Sequence, residues 1–111
     1  MRTLVLQDET QRVIKFGRIK PFKNVCKVTG VDELCNIVTE YCVGGGKKVI
    51  DIVEYRKYFD RTFNELIEDI AKKVYDEIMQ SAEPKWLRVE VFLEGNPHLT
   101  DWSVVIDSRN K

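Results

Sequence analysis

The spacing of apolar residues changes period twice along this chain. From Asn36 to Val43 it alternates: Ile37, Thr39 and Tyr41 fall on one side, and Val38, Glu40 and Cys42 on the other. With its β-branched content this segment predicts a strand. Gly44-Gly45-Gly46 marks a turn, and Lys48 to Ile52 reads as a returning strand, so the two predict an antiparallel hairpin. No Gly-Lys-Ser/Thr follows the glycines, which argues for a hairpin turn over a phosphate loop. Val53 to Arg61 fits a short helix. Beyond it the period lengthens: Phe63, Leu66, Ile67, Ile70, Ala71, Val74 and Ile78 recur at steps of three and four, which predicts a long helix over Thr62 to Ser81. Thr62 with Glu65 three residues later has the form of a capping box, and Pro84 closes the region. Alternation then returns over Lys85 to Leu93, is broken at Gly95-Asn96-Pro97, and resumes over Trp102 to Ile106.

The first part of the chain is less regular. Thr3 to Leu6 reads as a short strand or a loose terminus. Residues 11–25 carry short apolar pieces broken by Gly17 and Pro21, the pattern of an extended arm with turns. The elements run strand, strand, helix, helix, strand, strand. That order predicts an α+β domain with a four-stranded, mostly antiparallel sheet and both helices on one face. So small an open sheet leaves strand edges uncovered, so we expect an oligomer whose edges pair between subunits.

Composition narrows the class. The 111 residues suit a single domain, 1–111, with residues 1–25 as a basic N-terminal arm. Hydrophobic residues are 43% and charged residues 32%, a globular composition rather than a disordered or membrane-spanning one. No apolar run reaches membrane length and no signal-peptide pattern opens the chain. With three cysteines in no framework spacing, this points to a reducing, cytoplasmic setting. Net charge is zero, but Arg12, Lys15, Arg18, Lys20, Lys23 and Lys27 form an acid-free run. Such a patch can contact phosphates on an otherwise neutral protein.

The candidate chemistry lies just after that run. Cys26 is followed by Thr29-Gly30, by the adjacent acids Asp32 and Glu33, and by the strand that carries Glu40-Tyr41. A thiol followed by a nearby acid is a possible nucleophile with its proton donor, and it is also what an ordinary loop feeding a strand contains. Cys35 and Cys42 read as packing residues, and Trp86, Trp102 and Phe92 as core or interface aromatics, one of which could stack on a base. The single histidine, His98, has no ligand partners at metal spacing, so no metal is expected.

The order of elements and three motifs resemble the tunnelling-fold enzymes that act on 7-cyano-7-deazaguanine. That family includes the nitrile reductase of queuosine biosynthesis and its archaeal relative, a tRNA amidinotransferase that makes archaeosine. The first motif is Cys26, Thr29-Gly30, an acid seven residues after the cysteine at Glu33, and Glu40-Tyr41. The second is a helix carboxylate sixteen residues before a Pro-led strand: Glu68, ahead of Glu83-Pro84-Lys85-Trp86. The third is the segment Ile50 to Tyr58, which occupies the place of the reductase's nicotinamide-binding motif.

The departures are informative. Val53 and Glu54 replace a lysine and a small residue of that motif, and a carboxylate there would repel a phosphorylated dinucleotide. Ile67 stands where the reductase has histidine. Lys27 follows the nucleophile in place of proline. The acid in register is Glu33, with Asp32 beside it, and Asp is the residue type the family prefers.

The resemblance thus implies a tunnelling fold of order ββααββ assembled into an oligomeric barrel, with sites at subunit borders. It implies an amidinotransferase that needs no nicotinamide or other cofactor. Cys26 would attack the nitrile, Glu33 or Asp32 would move the proton, and Glu68 would bind the base. Arg18, Lys20, Lys23 and Lys27 would contact the tRNA, and ammonia, free or from a partner, would complete the reaction. The rival implications are an NADPH-dependent nitrile reductase, the same amidine chemistry on DNA, and a non-catalytic purine- or nucleic-acid-binding module.

Overall fold

The computed structural model describes residues 1–8, 10–17, 20–95 and 102–110. Arg18, and His98 with the Asn96-Pro97 part of the expected turn, lie outside the described residues. The strands are β1 (Thr3–Val5), β2 (Val13–Gly17), β3 (Phe22–Val25), β4 (Asp32–Cys42), β5 (Lys48–Ile50), β6 (Thr62–Phe63), β7 (Trp86–Glu94) and β8 (Ser103–Asp107). The helices are α1 (Ile52–Tyr58) and α2 (Ile67–Ala82).

The main sheet holds six strands rather than the expected four. Its order is β6-β3-β4-β7-β8, and β2 also pairs with β4. All its pairings are antiparallel except β3 with β6. Residues 13–25 are extended, as their broken pattern implied, and they are laid into the sheet: β2 runs beside Val38–Cys42 and β3 beside Asp32–Cys35.

The β4–β5 hairpin does not form. Both edges of β4 are taken, one by β2 and β3 and the other by β7. After the glycine turn β5 pairs with β1 instead, Thr3 opposite Ile50 and Val5 opposite Lys48. One contact still ties the two expected partners together: the Ile50 amide donates to the Tyr41 hydroxyl at 2.9 Å.

The long helix starts five residues later than its pattern implied. Thr62 and Phe63 pair with Lys23 and Asn24, so the capping box is absent, and the N-cap is Leu66, which makes no side-chain cap bond. From Ile67 onward the three-and-four rhythm holds: Ile67, Ile70, Ala71, Val74, Ile78 and Ala82 are buried. They pack on Cys35, Ile37, Tyr41, Leu87, Val89 and Val91 from the inner face of the sheet. Each large aliphatic side chain so buried is worth about 1.5–3 kcal/mol. The helix ends where Glu83 turns left-handed (φ 48°, ψ 54°) before Pro84. Helix α1 joins the same face through Tyr55, whose hydroxyl lies 3.0 Å from Thr39 Oγ1 and whose ring meets Phe16 edge-on. Both helices therefore cover one face of the sheet, as expected. No helix among the described residues is long and apolar enough to cross a membrane.

Candidate active site

The β3–β4 hairpin builds the site. Val25 pairs with Asp32 and Asn24 with Glu33, which leaves residues 26–31 as the connecting loop. Its neck is closed by the Cys26 amide, which donates to the Val31 carbonyl at 2.9 Å, and by the Gly30 amide, which donates to the Cys26 carbonyl at 2.8 Å. Gly30 takes φ +73°, a conformation open to glycine and costly for other residues. Cys26 is thus the first residue past the strand, half-buried at the loop's base.

The loop folds donors onto the sulfur. The Thr29 hydroxyl hydrogen-bonds it, and the Thr29 and Val28 amides point at it. These contacts lower the thiol's pKa, the hydroxyl most, against smaller opposing effects of burial and of the Glu33 charge. The nearby cations Lys23 and Lys27 are not among the groups that lower it. A small nest of donors does so instead. The other buried thiol near the site behaves oppositely: burial, then the Glu33 charge, pushes Cys35 up to about 12. Cys35 and Cys42 are both buried, in keeping with packing roles.

Alternation separates the two acids. On β4, Glu33 shares the inner face with Cys35, Ile37, Thr39 and Tyr41 and is buried, whereas Asp32 points outward and is exposed. The Asn24 side chain donates to Glu33 Oε1 at 2.7 Å. The same amide reaches the Glu65 backbone, donating to its carbonyl at 2.9 Å and accepting from its N–H at 3.0 Å. That pins the start of α2 beside the hairpin, and Glu68 follows in the first turn of the helix.

These three elements enclose a cavity of about 490 Å³. Its walls are Cys26, Val28 and Thr29 from the loop, Glu33 from β4, Leu66, Ile67 and Glu68 from the start of α2, and Trp102. It lies in the size range of small-molecule sites and is apolar with a few polar groups converging on it. The structure therefore brings Cys26, Glu33 and Glu68 together. Asp32 and Lys23 line a neighbouring cleft of about 300 Å³, which Glu33 also borders. Lys20 and Lys27 are exposed, and neither lines the cavity. Among the described residues no group of three His, Cys, Asp or Glu side chains could hold a metal ion.

Trp102, one of three aromatics read as core or interface with one able to stack on a base, stands 46% exposed and lines the cavity. One residue beside the site escaped the sequence reading: Asn24 sits in a segment read as an extended arm. A signal did exist for the acid: carrying the β4 alternation back from Ile37 puts Glu33, not Asp32, on the inner face.

No protein-family model matches the chain, and no curated protein matches it in sequence. A solved structure does. The archaeosine synthase QueF-Like, in its apo form, superposes with a TM-score of 0.71 over 95% of this chain and 99% of that one, at 20% identity. The chain has the QueF-like fold. Two of the strands beyond the expected four, β3 and β6, position the candidate residues: β3 and β4 carry the thiol loop, and β3 with β6 holds the entry to α2.

Proposed function

We propose that this chain is an archaeosine synthase-like amidinotransferase, converting the nitrile of 7-cyano-7-deazaguanine in tRNA to an amidine. The observation that carries this reading is the convergence of Cys26, Glu33 and Glu68, from three separate elements, on one cavity. The QueF-like fold supports it.

The chemistry assigns each residue a part. The Cys26 sulfur adds to the nitrile carbon, forming a C–S bond and converting the triple bond to a C=N bond. Glu33 takes the thiol proton and passes it to the nitrile nitrogen, which gives a thioimide. Ammonia then adds to the same carbon, the C–S bond breaks, and one ammonia proton passes to the departing sulfur, which regenerates the thiol and leaves Glu33 as it began. Nitrile and ammonia become amidine with no change of oxidation state, so no nicotinamide is consumed. Glu68 accepts hydrogen bonds from the ring N–H and exocyclic amine of the guanine-like face. Trp102 offers its ring to the plane of the base. Lys20, Lys23 and Lys27 lie in or near the strand and loop that carry the thiol, and together with Arg18 they would supply charge for the tRNA backbone.

The reductase reading has less support. Glu54 lies on α1, where its carboxylate accepts from the Arg2 amide at 3.0 Å and lies 3.7 Å from the Arg2 guanidinium. A carboxylate fixed in that way opposes a phosphorylated dinucleotide. An oligomer with sites at its borders belongs to the proposal as well, since Val13, Leu34 and Val105, on the sheet face away from the helices, are exposed.

Mass spectrometry tests the reading. Protein mixed with 7-cyano-7-deazaguanine should gain the mass of the base, and Cys26→Ala should not. Ammonium should then release amidine with no NADPH consumed. An unmodified wild-type mass would sink the proposal, and NADPH oxidation would move it to the reductase.

A further inference from the structure

Asn24 is 1% exposed, and its side-chain amide is fully engaged. Both amide protons are used, one on Glu33 Oε1 at 2.7 Å and one on the Glu65 carbonyl at 2.9 Å, and the amide oxygen accepts from the Glu65 N–H at 3.0 Å. The pattern fixes the orientation of the group. Turned over, its oxygen would face two acceptors and its NH2 a donor. A buried amide is costly unless matched in this way, and Phe22, on the same face of β3, shows what packing alone would place there.

We propose that Asn24 is a positioning residue that holds the Glu33 carboxylate at the Cys26 cavity and ties it to the segment leading into Glu68. The inference rests on the function proposed above and adds a residue to it. Asn24 does not line the thiol's cavity, so it acts only through Glu33 and the start of α2. Its donor holds one of the carboxylate oxygens in place. Other groups also face Glu33: Cys26 from the loop and Glu68 at the start of α2 across the cavity, Cys35 on its own strand, and Lys23 and Asp32 across the neighbouring cleft. Asn24 is a neutral, fully buried donor on that carboxylate.

Asn24→Asp tests the idea, because it keeps the shape and swaps a donor for an acceptor. Two facing carboxyls so close cannot both ionise, so the pair should keep a proton to higher pH than Glu33 alone. Glutamate carboxyl carbons are labelled, the Glu33 resonance is identified by its loss in Glu33→Gln, and its titration is followed by NMR. On the same proteins the rate of Cys26 adduct formation with 7-cyano-7-deazaguanine is measured across pH. We expect the titration and the pH limb of the adduct rate to move upward together. A Glu33 titration unchanged by Asn24→Asp overturns the proposal, and so does a shifted titration with an unmoved limb. Asn24→Ala is the second arm: adduct formation should fall severalfold while iodoacetamide alkylates Cys26 at the wild-type rate. Equal loss of both rates would mean a misfolded loop and would also overturn it. A wild-type protein that forms no adduct at any pH refutes the function instead, and the NMR titration still decides whether Asn24 holds Glu33.

Discussion

The Thr29 hydroxyl hydrogen-bonds the Cys26 sulfur, and this contact does more than any other to lower the thiol's pKa. The thiolate is the reactive form, so alkylation of Cys26 should rise with pH through a midpoint below the ordinary thiol range. Thr29→Val keeps the shape and removes the donor. Less thiolate is then present at any given pH, the alkylation profile moves to higher pH, and the neutral-pH rate falls severalfold. Lys27→Ala should leave the profile in place, because the lysine is not among the groups that shift the thiol. Iodoacetamide kinetics across pH check both. A profile that moves with Lys27 and not with Thr29 would make charge the cause.

Glu33 and Asp32 are neighbours in sequence on opposite faces of β4. If Glu33 moves the proton, Glu33→Gln should slow adduct formation by about 10²–10⁴-fold, the usual worth of a positioned acid. Asp32→Asn should stay near the wild-type rate, since Asp32 lines the neighbouring cleft and not the thiol's cavity. Single-turnover rates with 7-cyano-7-deazaguanine decide between them. The reverse ranking would show that the loop rearranges when substrate enters.

Binding should divide between the two remaining walls. Glu68→Gln removes a charged acceptor, and base affinity should fall by about 10–100-fold. Trp102→Ala removes a stacking face worth about 1–3 kcal/mol, or roughly 5–150-fold. The chain has two tryptophans, so a Trp86→Phe background leaves Trp102 as the reporter. Adding the base to a Cys26→Ala form of that protein should quench its fluorescence. Undiminished emission at saturating base would remove Trp102 from the site.

How legible all this was depends on the kind of constraint. One-sided burial imposes a period, so β4, α2 and β7 could be read from Ile37-Thr39-Tyr41, Ile70-Val74-Ile78 and Leu87-Val89-Val91. Pairing leaves no comparable trace. The glycine turn argued for a β4–β5 hairpin, but occupancy of both β4 edges decided otherwise. Thr62 and Glu65 had the spacing of a capping box, and pairing of Thr62 with Lys23 removed it. Motif spacing singled out Cys26, Glu33 and Glu68, which the fold brings to one cavity. Asn24 was not legible, because its role is a set of contacts with residues nine and forty-one positions away.

The glycine turn does mark a real constraint, though not the expected hairpin. A Cβ at Gly44 would lie 2.1 Å from the Glu83 carbonyl oxygen and 3.5 Å from the Pro84 Cα. These are backbone atoms and cannot rotate aside. Glu83 is already left-handed there, so the turn and the C-terminus of α2 meet through the space that glycine leaves. Gly44→Ala must push them apart at the junction that leads into β7. Overpacking of this kind costs about 1–3 kcal/mol. In a domain of this size each kcal/mol lowers Tm by roughly 4–8 °C. Gly45 is the control, since a Cβ there meets nothing within 4 Å and its φ is not positive. Gly45→Ala should leave Tm unchanged or slightly raised, because alanine restricts the unfolded chain. Thermal unfolding followed by circular dichroism compares the two. Equal Tm values would show that the turn and the helix end separate freely and that the glycine run serves flexibility alone.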